Sequence, residues 1–178
     1  MMTDGETLPQ SAIVPVSNYV IIGGTGDLSL RKIFPALFLR YVAGQVTNDF
    51  RLFVVGRQEI NVGEFWEKLQ PHCASAISGL DDGVGLMNRF MDLIKIVCID
   101  ITQPMSMVKL ANTLLPEASE DRPIIFYLSI APSLISAACQ RIHEAGLVLP
   151  QSRLVVEKPL GHDRASSQKI NDELLSVF

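Results

Sequence analysis

Short, nearly continuous apolar runs alternate along the chain with segments whose apolar residues recur at helical spacing. Five runs are rich in β-branched residues: NYVII (18–22), RLFVV (51–55), IKIVCI (94–99), IIFYLSI (124–130) and RLVVE (153–157). A strand with one wet face alternates apolar and polar residues. A run without that alternation predicts a strand buried on both faces, as in a parallel sheet covered by helices. Between the first two runs, Leu30, Phe34, Leu37 and Tyr41 share one helical face. Pro35 lies inside that helix and is expected to remove a backbone hydrogen bond and bend it. VGEFWEKLQ before Pro71, PMSMVKLANTLL from Pro104 to Leu115, and PSLISAACQRIHEAG from Pro132 read as further helices. Two of these open with proline, which suits a first helical turn, and the last closes at Gly146. INDELLSVF, at the end of the sequence, reads as a final helix, and the segment 80–93 is assigned to no element.

Strand and helix in alternation predict an α/β fold with a doubly wound, mainly parallel, Rossmann-like sheet in a single domain. That domain is placed at residues 18–178, behind a flexible N-terminal tail at 1–17. A length of 178 residues suffices for a sizeable core without a disulfide or metal staple. Apolar residues make up 48% and charged residues 19%, which excludes a disordered chain. A net charge of -4 argues against a broad nucleic-acid face, so an anionic ligand has to be met by a few local cations. Cys73, Cys98 and Cys139 are odd in number and lack metal-ligand spacing. They read as reduced core thiols in a cytoplasmic protein. No secretory leader and no run of membrane-spanning length is visible.

The candidate chemistry begins with VIIGGTGDLSLRKIFPAL (20–37). Strand, glycines and helix in this order suit a turn that cradles a pyrophosphate. Gly23 can turn sharply at the strand end, and Gly26 lets backbone approach the phosphates at the helix start. The pattern is GGTGDLS and not the full G-x-G-x-x-G, with Ser29 near the third glycine position. An ordinary tight βα turn is the competing reading. A Walker A loop is excluded, because no Gly-Lys-Ser/Thr follows. The second strand ends VVGRQ, where an NAD site would place a carboxylate on the ribose hydroxyls. Arg57 there suits a 2′-phosphate, and so NADP; a solvated surface arginine is the alternative.

GGTGDLSLRKIFPAL and VVGRQ, together with FYLSIAPS (126–133) and VVEKPLGHD (155–163), resemble the coenzyme domain of the glucose-6-phosphate dehydrogenase family. Four motifs in the right order, each at a strand end, span the chain from Asn18 onward. The resemblance implies a pyrophosphate turn of Gly23, Gly24, Thr25, Gly26, Asp27 and Leu28. It implies a 2′-phosphate contact from Arg57, with Gln58 beside it. Asp100 and Ile101 would lie beside the adenosine half, although Asp100 also has a plain capping reading. The Ser129–Pro132 loop would face the nicotinamide. Lys158 would sit between cofactor and sugar phosphate, and Lys32 matches a family lysine near the same pocket. Glu157 could orient Lys158 or cap the next segment.

The family oxidises glucose 6-phosphate to the phosphogluconolactone with NADP, at the entry to the oxidative pentose phosphate pathway, and is typically homo-oligomeric. Its histidine base, its phosphate-gripping segment and its β+α substrate domain have no counterpart in this sequence. His72, His143 and His162 do not replace them, so no catalytic residue is assigned, and no metal site. The isolated chain is expected to lack dehydrogenase activity, either as part of a longer dehydrogenase or as a truncated NADP-binding module. A short-chain-type oxidoreductase is disfavoured, because Tyr19, Tyr41 and Tyr127 are followed four residues later by Gly23, Gln45 and Ala131 and not by lysine.

Overall fold

The computed structural model describes residues 15–103, 105–158, 160 and 163–178. Five strands form one all-parallel sheet: β1 (Asn18–Ile22), β2 (Arg51–Gly56), β3 (Ile94–Cys98), β4 (Ile124–Leu128) and β5 (Arg153–Val156). Their order is β3-β2-β1-β4-β5, so the chain winds outward from β1 first one way and then the other. Each expected run is a strand, and their ends differ from the expected bounds by at most two residues.

Alternate residues of the strands feed two separate cores. Val20, Ile22, Phe53, Val55 and Phe126 point to one face and Ile21, Leu52 and Val54 to the other. Both faces are covered, which is why the runs show no polar alternation. On the second face lie α1 (Phe34–Val42), α2 (Val62–Ser78) and α3 (Gly83–Met91), contributing Phe34, Phe38, Phe65, Leu69, Cys73, Met87 and Phe90. On the first lie α4 (Ser106–Leu114), α5 (Pro132–Glu144) and α6 (Arg164–Leu175). The end of the sequence is packed, since the Phe178 ring meets Phe126 edge-on at 6.0 Å between centroids.

Two expectations need correction. The helix before Pro71 does not stop there, and α2 runs through the proline to Ser78. Its second half buries Cys73 and packs Ala76 and Ile77 on the core, and that burial offsets the lost hydrogen bond. Its start is held by a reciprocal pair: Glu64 N–H donates to the Asn61 side chain, and Asn61 N–H donates to the Glu64 carboxylate. The unassigned segment 80–93 contains α3, whose first turn carries Gly83 and Gly85 and so hides its helical character. Ser17 is buried and its carbonyl accepts from Arg51 N–H, while residues 1–14 lie outside the described residues.

Pro35 causes a change of helical register. Over Ser29–Ile33 the helix widens to a π turn, with Phe34 N–H donating to the Ser29 carbonyl. The proline follows at the opening of α1, where a missing N–H costs least. α4 falls within the expected 104–115, with Pro104 itself outside the described residues, and α5 ends as expected, with Gly146 N–H donating to the His143 carbonyl. Among the described residues no helix is long and apolar enough to cross a membrane, and no cluster of His, Cys, Asp and Glu could hold a metal.

Replacing the exposed Pro71 by Ala should stabilise the chain by about 2 kcal/mol, the helix-interior cost of proline less its entropy advantage in the unfolded chain. The check is a rise in urea midpoint with unchanged slope. Burial also raises the pKa of the Tyr19 phenol to about 12, of the Cys73 thiol to about 11 and of the Cys139 thiol to about 12. The unfolded chain therefore loses these protons first. Stability is fully present below about pH 9 and should fall progressively as pH rises toward 12, as melts across that window will show.

Candidate dinucleotide site

All parallel strands present their carboxyl ends on one side, and strand order reverses between β1 and β4. Loops leaving the sheet on either side of that point diverge and open a crevice. A cleft of about 330 Å³ lies there. It is lined by Gly23, Thr25 and Gly26 after β1, Gly56 and Arg57 after β2, Asp100 to Thr102 after β3, and Ser129 to Ala131 after β4. A narrower cleft of about 160 Å³ shares Ser129 and Ile130 with it and continues to Leu28, Glu157 and Lys158. A larger hollow of about 540 Å³ opens at the opposite ends of β2 and β3, lined mainly by charged and polar side chains including the paired Lys95 and Glu117.

The turn after β1 is wedged between its two neighbouring strands. Gly23 adopts φ +83°, and a Cβ there would lie 2.1 Å from the Ser129 carbonyl oxygen. Both Gly23 and Gly24 donate their N–H groups to the Val55 carbonyl at 2.9 Å, and Gly26 donates to Gly23 at 2.9 Å. These three amides are spent on the turn itself. The donors left for a phosphate are those of the first helical turn from Asp27, which an α-helix cannot satisfy internally. Ser29, at the third-glycine position, is fully buried, and its hydroxyl donates to the Gly23 carbonyl.

Arg57 is exposed at the cleft rim, and its backbone carbonyl accepts a hydrogen bond from the Cys98 thiol at 3.4 Å. Asp100 lines the cleft, and its carboxylate accepts from the Thr102 N–H and hydroxyl. Those bonds, with Arg57 nearby, hold its pKa below the ordinary carboxylate range. Ile101 lines the same wall. Gly24 is buried beneath the turn, and Asp27 is exposed and paired with Arg31 at 3.5 Å, so neither lines the cleft. Leu28 and Lys158 belong to the narrower cleft. Lys32 is exposed on the π turn and is not among the residues lining these two clefts. His72 and His143 are exposed on α2 and α5, and His162 lies outside the described residues.

Two contacts were not visible in the sequence. Tyr127 donates its hydroxyl to the Glu157 carboxylate, across the β4–β5 register that pairs Tyr127 with Val155. This bond holds the carboxylate beside Lys158, and with burial as the larger cause it raises the Tyr127 pKa well above 10. The second is the packing of Thr25 over Gly56. Both depend on strand register, for which the local sequence carries no signal.

A parallel sheet with a glycine turn and helix start at its reversal point defines a dinucleotide-binding domain of the Rossmann type. Over residues 20–178 the chain matches the family model described as glucose-6-phosphate dehydrogenase, NAD binding domain. The chain belongs to the glucose-6-phosphate dehydrogenase family and comprises its nicotinamide-dinucleotide-binding domain. It is 34% identical over 165 residues to glucose-6-phosphate 1-dehydrogenase of Mycolicibacterium smegmatis, covering 90% of this chain and 33% of that protein. With the enzyme of Zymomonas mobilis it shares 37% identity over 166 residues, covering 92% and 33%. A solved glucose-6-phosphate dehydrogenase in complex with its substrate glucose-6-phosphate superposes with a TM-score of 0.80 at 25% identity, covering 93% of this chain and 35% of that one. The chain thus spans about a third of the length of these relatives.

Gly23→Ala should cost about 2–5 kcal/mol, combining left-handed strain with overpacking against Ser129. Denaturant titration will measure the loss, and dinucleotide binding should vanish with it.

Proposed function

We propose that the chain is the NADP-binding part of a glucose-6-phosphate dehydrogenase, a cytoplasmic enzyme that oxidises glucose 6-phosphate to 6-phosphogluconolactone. The reading of NADP is carried by one observation: β2 ends in Gly56 followed by Arg57 at the cleft rim, with no carboxylate at that strand end. An arginine fork there meets a 2′-phosphate with paired charge-assisted hydrogen bonds. A carboxylate in its place would hold unphosphorylated ribose hydroxyls and repel the phosphate.

The residues fit a dinucleotide at three points. The close-packed backbone at Gly23 leaves the pyrophosphate position free of side chains, the helix start supplies N–H donors and a positive dipole end, and Arg57 supplies the cation at the adenosine end. The bound cofactor would accept the hydride, with its nicotinamide toward the Ser129–Pro132 loop. Lys158, which lines the narrower cleft beside Glu157, is then suited to a sugar phosphate, and the Glu157 carboxylate accepts the Tyr127 hydroxyl. No proton-abstracting base is assigned among the residues of this chain, which spans about a third of the relatives' length.

Arg57→Ala should weaken NADP binding to the chain about ten- to a hundredfold, the range of one charge-assisted pair, and leave NAD binding nearly unchanged. Calorimetric titration with both dinucleotides tests this. Equal losses for the two would refute the 2′-phosphate assignment.

A further inference from the structure

Gly56 closes β2 in a position where its backbone makes no demand for glycine. It is buried, and its φ lies outside the left-handed region that favours glycine. A Cβ at this position would nevertheless meet the Thr25 side chain: Oγ1 at 2.5 Å, Cγ2 at 2.8 Å and Cβ at 3.2 Å. These are its three nearest neighbours, so what excludes a side chain at 56 is one residue of the phosphate turn. Rotating Thr25 about χ1 moves the first two atoms and leaves the third. The backbone that carries Thr25 is held by the double hydrogen bond of Gly23 and Gly24 to Val55, the residue before Gly56.

We infer that Thr25 and Gly56 form a paired specificity element, in which the Thr25 side chain fills the space that an acidic residue at the end of β2 would need to read an unphosphorylated ribose. The end of β2 is the place from which a carboxylate selects NAD in this fold. Here the Thr25 side chain of the turn lies against that place, and the next residue along the chain, Arg57, lines the cleft. The turn and the ribose-reading corner are therefore one steric unit. A change of cofactor preference requires two coordinated substitutions, since a carboxylate placed at 56 alone displaces the turn on which either dinucleotide depends. The inference rests on the NADP reading of Arg57 and adds to it the cause of the missing carboxylate.

The test is a double-substitution cycle in the 178-residue chain, comparing wild type, Gly56→Asp, Thr25→Ala and the combined variant for binding of NADP and NAD by calorimetry. Gly56→Asp alone should weaken both dinucleotides at least tenfold. Adding Thr25→Ala should restore NAD binding to at least the wild-type level while NADP stays weakened. If Gly56→Asp alone binds NAD as well as the combined variant does, or if Thr25→Ala brings no recovery, the pairing is overturned. Thermal melts of Gly56→Ala with and without Thr25→Ala or Thr25→Gly read the same steric coupling without ligand. The drop in melting temperature at Gly56→Ala should shrink in either Thr25 background, and equal drops in all would overturn the pairing. A wild-type chain without preference for NADP over NAD would remove the NADP reading and this assignment with it. A preferring wild type with an additive cycle would remove the pairing alone.

Discussion

The site depends on the approach of the Gly23 backbone to the Ser129 carbonyl. That contact is possible only because residue 23 has no Cβ and can hold φ +83°. It fixes the exit of β1 against the exit of β4 on one side, while the two N–H bonds to Val55 fix it against β2 on the other. The turn is thus pinned at three strand ends, and the helix that follows is aimed by the sheet and not by its own sequence. The buried Ser29 hydroxyl adds a fourth tie by holding the Gly23 carbonyl. A helix start so placed presents its unpaired amides at the point where neighbouring loops diverge, which is where an anion can reach them.

From that pinned turn the chemistry divides into two ends. Toward β2 and β3 the wall is made by Gly56, Arg57 and the Asp100–Thr102 turn, with a single cation at the rim. Toward β5 the wall is made by Ile130, Glu157 and Lys158, with the carboxylate occupied by Tyr127. Each end offers one basic residue to an anion, Arg57 at one and Lys158 at the other. The acidic net charge of the chain makes this local placement matter. Without a broad positive field, recognition has to come from individual groups set at fixed positions.

The helical layers show how local cost is absorbed when burial is at stake. Pro35 and Pro71 both interrupt helices, and the structure treats them differently. The first sits where a π turn already changes the hydrogen-bond register. The second is carried inside α2 because Cys73, Ala76 and Ile77 beyond it close the core under the sheet. Gly83 in α3 is likewise a poor helix former kept for a close contact, since a Cβ there would lie 2.0 Å from the Ile77 carbonyl. At Pro71 and Gly83 tertiary packing overrules helix propensity, which is worth about 3 kcal/mol for proline and about 1 kcal/mol for glycine.

Five strands, their parallel winding, the glycine turn and the arginine after β2 were legible in the sequence. Doubly buried strands leave continuous apolar runs, and strand-end motifs are local features of a few residues. The family was legible for the same reason, because its four motifs each occupy a short stretch at a strand exit. Helix bounds around Pro71 and Gly83 were not legible, since propensity is local and the compensating contacts are distant. The Tyr127–Glu157 bond and the seating of Thr25 over Gly56 were decided by tertiary structure alone. Each joins residues about 30 positions apart, and strand register, which no single segment encodes, is what brings them into contact.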